Sequence, residues 1–183
     1  LGTCADVPVM CFGTVCLRYA KKRSEENQTE KREIIMIRVM TIEDYDGVYA
    51  LWKKIKGFGI RSIDDSREGV DRFLKRNPTT SVVAEKDGRI VGSILCGHDG
   101  RRGCLYHVCV DEQYRRHGIG KEMVVFAMKA LKEEQINKVS LIAFTENDIG
   151  NAFWNTIGWT RRLDLNYYDF TLNEENITAF NEQ

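Results

Sequence analysis

Val108-Cys109-Val110-Asp111-Glu112-Gln113-Tyr114-Arg115-Arg116-His117-Gly118-Ile119-Gly120-Lys121 reads as an apolar strand that runs through a polar turn into a helix opening on two glycines. A helix start presents unpaired N–H groups and the positive end of the macrodipole. Glycines there let a phosphate approach the backbone closely. Arg115, Arg116 and Lys121 add positive charge at the same point. The stretch fits a plain strand-to-helix turn with basic residues at its mouth, or an anion-binding turn. It does not fit two common phosphate loops. The dinucleotide fingerprint needs a third glycine where Met123 stands, and the Walker loop needs Gly at 115 and Ser or Thr at 122, where Arg and Glu stand.

Outward from this turn the pattern is α/β. Residues 104–110 (CLYHVCV) form the strand that enters it, and the helix after it runs from about Gly118 to Glu134 with amphipathic spacing. Upstream, residues 81–85 and 89–95 flank Asp87-Gly88, a strong hairpin signal, and residues 97–103 (GHDGRRG) form the next turn. Residues 34–39 read as the first strand. Thr41 and Asp44 resemble a capping box before a helix that carries Tyr45, Val48, Leu51, Trp52 and Ile55. A loop over residues 57–65 follows, then a short helix capped by Ser66 and closed by Asn77-Pro78. Downstream, residues 138–144 read as a strand, residues 148–157 as a helix and residues 167–172 as part of the terminal strands. The order β-α-α-β-β-β-α-β-α-β-β predicts a layered α/β domain around a central mixed sheet.

The chain has 183 residues, with 27 Lys+Arg against 27 Asp+Glu. Zero net charge leaves no global basic field for a nucleic acid, so a charged ligand must be caught locally. None of the six cysteines forms a C-x-x-C pair, and the three His give no metal-ligand spacing. Cysteine usage fits a reducing cytoplasm. No run approaches the ~20 apolar residues of a membrane span. Residues 1–35 read apart from the rest, as a disordered leader or upstream translated sequence, because residues 20–33 are charged and almost free of apolar side chains. The domain is expected over residues 36–183.

Arg115-Arg-His-Gly118-Ile-Gly120 matches [RQ]-x-x-G-x-[GA], preceded by Val108-Cys109-Val110. Asn147 and then Ala152-Phe-Trp-Asn-Thr-Ile-Gly-Trp159 follow. With these segments the chain resembles the GNAT superfamily of acetyl-CoA-dependent N-acetyltransferases over about residues 36–172, and is most similar to the bacterial branch that acetylates ribosomal-protein N-termini. The resemblance implies a largely antiparallel sheet with helices on both faces and a splayed strand pair that holds acetyl-CoA. The backbone of Val108, Cys109 and Val110 would pair with the pantetheine, as an added strand would. The turn from Arg115 through Arg116, His117, Gly118, Ile119 and Gly120 to Lys121 would hold the pyrophosphate. Asn147 would hydrogen-bond the pantetheine, and an amide near Cys109 or Val110 would stabilise the oxyanion. The acceptor would be a primary amine of a small molecule or a protein N-terminus, attacking the thioester directly, with the protein a monomer or homodimer.

The chain departs from the family where protons move. Trp154 stands where the family has a tyrosine that protonates the leaving thiolate, and Ile142 stands where a relative has a Glu base. These departures also fit a second reading, an acyl-CoA-binding sensor without catalysis. Strict alternation over residues 104–110 puts Cys104, Tyr106 and Val108 on one face and His107 on the other. That makes Tyr106 the first candidate to handle a proton and His107 the second, with Tyr167, Tyr168 and His98 behind them. Arg61, Asp64 and Asp65 in the loop after the first helix are candidate acceptor contacts or a solvated loop, and Cys109 reads as packing.

Overall fold

In the computed structural model, residues 34–182 are described. The reading of residues 1–33 lies outside them. Strand β1 (Ile35–Val39) begins one residue before the expected boundary at Met36. A 3-10 turn leads into α1 (Tyr45–Lys54). Its entry is the expected capping box: the Asp44 carboxylate accepts from Thr41 N–H at 2.9 Å. Arg38 then ties Asp44 to Glu85 through contacts of 2.7 Å each, fastening the entry of α1 to the sheet.

The elements that follow are β2 (Gly59–Arg61), α2 (Arg67–Arg76), β3 (Val82–Lys86), β4 (Arg89–His98), β5 (Gly103–Val110), α3 (Ile119–Glu133), β6 (Val139–Leu141), α4 (Asp148–Thr156) and β7 (Thr178–Phe180). Ser66 caps α2 by accepting from Gly69 N–H at 3.1 Å. Asp87 and Gly88 join β3 to β4 with φ of 49° and 76°. Two left-handed residues in a two-residue loop are the signature of a type I′ hairpin turn, whose twist matches that of the strands.

The main sheet has the order β1-β3-β4-β5-β6, antiparallel except for the β5–β6 pair. Helices cover both faces, as expected. Alternation along β3 and β4 sends Val83 and Leu95 to one face, against Trp52, Val48 and Val70 of α1 and α2. It sends Val82, Ala84, Ile94 and Cys96 to the other, against Met123, Ala127 and Leu131 of α3. Among the described residues, no helix is long and apolar enough to cross a membrane.

The C-terminal third corrects three expectations. The strand expected over 138–144 pairs only through Val139–Leu141, leaving Ile142 and Phe144 exposed. No strand forms over 167–172, where Tyr168, Phe170 and Leu172 are all at least 86% exposed. Instead β7 pairs antiparallel with β2, which lies inside the stretch read as a loop. Two asparagines explain this choice. Asn176 Oδ1 accepts from the amides of Ile63 and Asp64 at 3.0 and 3.2 Å. Asn181 Nδ2 donates to the carbonyls of Trp52 and Ile55 at 2.7 Å each. Both carbonyls also accept from backbone amides, of Ile55 and Phe58, so Asn181 is a second partner that ties the tail to the end of α1.

Candidate active site

The site opens where β5 leaves β6. Their parallel pairing runs from Gly103↔Val139 to Leu105↔Leu141 and stops there. Residues 106–110 of β5 continue beside β4 alone, leaving their other edge open for an added strand. This is the splay the sequence led us to expect, and Val108, Cys109 and Val110 line it.

β5 then feeds the turn into α3. Asp111 N–H donates to Val91 C=O at 2.8 Å. Arg115 Nε donates to Val110 C=O at 3.0 Å, and its guanidinium lies 3.5 Å from Glu112. The Arg115 side chain therefore braces the strand end. Arg116 (φ 66°) and Gly118 (φ 83°) turn the chain into the helix in left-handed conformations. The first bond of the α3 ladder runs from Glu122 N–H to Gly118 C=O at 3.0 Å. The amides of Ile119, Gly120 and Lys121 precede it and point out of the helix start. Arg116, His117 and Lys121 are exposed around this mouth, while the side chain of Ile119 is buried in the α3 core and offers only its backbone.

Gly120 sits where two helices approach. A Cβ there would lie 3.4 Å from the ring of Phe153 and 3.7 Å from Val110, in close van der Waals contact. The close approach of α3 to α4 thus shapes this end of the groove. Trp154 lies beside it, packed against Phe153 and Trp159 with centroids 5.0 Å away in each case. Asn147 is the N-cap of α4, accepting from Gly150 N–H at 2.9 Å. Its side-chain carbonyl oxygen is used within the protein, and the amide NH2 is the group left to donate. Exposed Ile142 offers no acid or base.

The opposite face of β5 overturns one expectation. Residue pairing with β4 passes from Ser93↔Cys109 to Leu95↔Tyr106, so β5 carries one extra residue between them. His107, at φ 49°, marks this bulge. Alternation is broken there. Tyr106 meets Phe73 of α2 and His107 meets Trp52 of α1, so both face the α1/α2 side, while Val108 packs toward α3. Tyr106 and Val108 therefore do not share a face, and Tyr106 and His107 do.

His107 Nε2 lies 2.7 Å from Asp65 Oδ1, and the ring is held between Trp52 and Phe58 at 4.5 and 4.7 Å. Asp65 is 4% exposed; its Oδ2 accepts from Arg61 N–H at 2.6 Å and its carbonyl from the Tyr45 hydroxyl at 2.9 Å. It is thus neither a solvated loop residue nor an open contact for a cationic amine. Asp64 is engaged as well, by Asn176 Nδ2 at 2.7 Å. Tyr106 is half exposed, with Arg61 and Tyr167 in its electrostatic surroundings. Burial first and Cys104 second push its phenol up to about 12, so at neutral pH it is an O–H donor. His98 is set apart in the β4–β5 turn, where Nδ1 accepts from Gly100 N–H. Burial pushes the Cys109 thiol up to about 11, against the pull of Ser93, consistent with packing rather than a thiolate nucleophile.

Sequence reasoning missed Asp65, Trp52 and Phe58 as neighbours of His107. The left-handed residue that brings them together is not a glycine, and left no signal in the sequence.

Residues 45–159 match the acetyltransferase (GNAT) family. An acetyltransferase of Sodalis glossinidius is 33% identical over 112 residues, which cover 61% of this chain and 78% of that protein. The fold is similar to that of the PaiA N-acetyltransferase of Thermoplasma acidophilum in complex with coenzyme A (TM-score 0.59, 16% identity, 82% of this chain and 99% of that one). It is also similar to that of the ribosomal-protein-alanine N-acetyltransferase of Brucella melitensis (TM-score 0.58, 18% identity, 76% of this chain and 100% of that one). Splayed strand, helix mouth and family match agree: the chain belongs to the GNAT family of acetyltransferases.

Proposed function

We propose that this acetyltransferase moves the acetyl group of acetyl-CoA to a primary amine by direct attack in a ternary complex. The observation that carries the reading is the departure of β5 from β6 after Leu105, together with its run into the α3 mouth. An extended pantetheine has an open strand edge to pair with at Val108–Val110, and its pyrophosphate has the amides of Ile119, Gly120 and Lys121 beside Arg116 and Lys121. The coenzyme A complex of the Thermoplasma relative supports this cosubstrate.

On this reading the cofactor approaches from the α3 side and the amine from the side of Tyr106 and His107, across β5. Amides near Cys109 and Val110 polarise the thioester carbonyl. Tyr106, held as a phenol, donates a proton or hydrogen bond to the departing sulphur. The acceptor is a small-molecule amine or a protein N-terminus; the Brucella melitensis neighbour is a ribosomal-protein-alanine N-acetyltransferase. The free thiols of Cys96, Cys104 and Cys109 support a reducing, cytoplasmic setting. A second reading, a sensor that binds acyl-CoA without turnover, is favoured by Trp154 in place of a titratable donor. Two measurements separate them: calorimetry with coenzyme A, and thiol release from acetyl-CoA with a panel of amines. Binding with amine-dependent release supports the transferase; binding without release for any amine supports the sensor.

A further inference from the structure

We infer that Asp65 is a positioning residue that fixes the ring of His107 so that its Nδ1 accepts the proton of the attacking amine. The inference rests on the acetyl-transfer reading above and adds to it the residue that sets the state of the acceptor-side base.

The geometry around Asp65 is unusual for a loop acid. Its residue surface is 4% exposed, and a buried carboxylate is costly unless well paired. Each oxygen has one partner: Arg61 N–H at 2.6 Å on Oδ2 and His107 Nε2 at 2.7 Å on Oδ1. The Tyr45 hydroxyl holds its backbone carbonyl. These three bonds leave Asp65 little freedom, so the imidazole it grips is aimed by the fold. Trp52 and Phe58 enclose the ring from α1 and the segment after it, at centroid distances of 4.5 and 4.7 Å. The His107 side chain keeps 12% of its surface open.

The backbone points the same way. A left-handed non-glycine residue is strained, and such strain clusters where function requires it. Here the strain falls at His107, one residue before the Val108–Val110 edge and beyond the last pair with β6. The bulge is what turns His107 toward Asp65 on the acceptor side.

The tautomer follows from the pairing. Both carboxylate oxygens accept, so Nε2 donates and carries the proton, and in the neutral ring Nδ1 carries the lone pair. The step then balances. A neutral amine attacks the thioester carbonyl carbon, the C–N bond forms and the C–S bond breaks. The proton shed by nitrogen passes to Nδ1, and the resulting imidazolium is stabilised by Asp65. Coenzyme A leaves as a thiolate that takes a proton from solvent, directly or through Tyr106, which is then reprotonated from solvent, and His107 returns its proton to solvent.

The test combines a spectroscopic and a kinetic readout on the full chain. Nitrogen-15 spectra of labelled histidine report which ring nitrogen is protonated. The chain has three His, so the His107 signal is assigned by its loss in His107→Gln. Asp65→Asn presents an amide N–H to Nε2 and should move the proton to Nδ1. With the best amine found, we expect kcat to fall by about 10²-fold or more, the low end of a general base's worth, with coenzyme A affinity unchanged by calorimetry. His107→Gln should lose at least as much, and adding Asp65→Asn to it should cost no more. The inference is overturned if Asp65→Asn switches the tautomer and keeps its turnover, or if the wild-type spectrum already shows protonated Nδ1 and bare Nε2. If Asp65→Asn does not fold, His107→Gln decides alone: full kcat in that variant sinks the inference. A wild-type protein that binds coenzyme A but acetylates no amine would instead sink the acetyl-transfer reading, and this role with it.

Discussion

The two sides of β5 are built in different ways. The α3 side is contiguous: residues 108–121 supply the strand edge, the left-handed turn and the helix mouth in one stretch. The α1/α2 side is assembled from distant pieces, with Trp52, Phe58, Arg61 and Asp65 converging on Tyr106 and His107, and Asn176 and Asn181 drawing the tail over the loop. A contiguous turn needs only local geometry to recognise an anion. The assembled side needs tertiary packing to exist at all. Binding and stability should therefore separate cleanly on the first side and be entangled on the second.

The strongest way to break this comparison is Trp52→Ala. Trp52 is fully buried, donates to Ser93 Oγ at 2.9 Å and packs against His107 at a tilt of 49°. Removing a buried indole costs about 3–5 kcal/mol, and here it also takes away one wall of the imidazole. We expect a large fall in Tm and, in whatever folds, a loss of turnover. A variant that melts normally but is inactive would show that Trp52 is a site wall rather than core.

The counterpart on the other side is the double change Arg116→Glu with Lys121→Glu. Both side chains are exposed at the α3 mouth. Losing two charge-assisted contacts at about 1.5–3 kcal/mol each predicts coenzyme A affinity weaker by about 10²-fold or more, with Tm unchanged. Unchanged affinity in calorimetry would move the pyrophosphate elsewhere. Gly120→Glu is a poorer probe, because Phe153 lies 3.4 Å from its added Cβ and any loss would mix packing with charge.

The same division explains what the sequence revealed. The hairpin at Asp87-Gly88, the box at Thr41 and Asp44, the cap at Ser66 and the α3 mouth are all encoded within a few residues, and the structure has each of them. The faces of Tyr106, His107 and Val108 were misjudged because strict alternation holds only without a bulge, and one extra residue reverses every face beyond it. Asp65 looked like a solvated loop acid, since nothing local marks its burial under Tyr45 and His107. The pairing of β7 with β2 is flanked by asparagine side chains that reach across more than a hundred residues of sequence, Asn181 to the carbonyls of Trp52 and Ile55 and Asn176 to the amides of Ile63 and Asp64. The alternation through 167–172 suggests a strand, but alternation describes a strand without supplying a partner.

The smallest predicted effect concerns Trp154, which belongs to the contiguous side by location but not by motif. At its position the family carries a tyrosine hydroxyl that protonates the thiolate. In this protein the indole packs against Phe153 and Trp159 at the groove end of α4, partly exposed. Indole N–H donates a hydrogen bond but does not titrate. Our hypothesis is that it stabilises charge developing on the sulphur without transferring a proton, which is left to Tyr106 or water. Trp154→Phe keeps an aromatic ring and removes only the donor, so it should raise the barrier by about 1.5–3 kcal/mol, the scale of one hydrogen bond to a charged group. Trp154→Tyr restores a titratable donor and should leave kcat/KM equal or higher. Measuring kcat/KM for both on the best amine decides the matter. Loss of all activity in both would mean that the indole's bulk, wedged between two other rings, shapes the groove. No change in either would place the thiolate's proton with Tyr106, and Tyr106→Phe would then carry the loss.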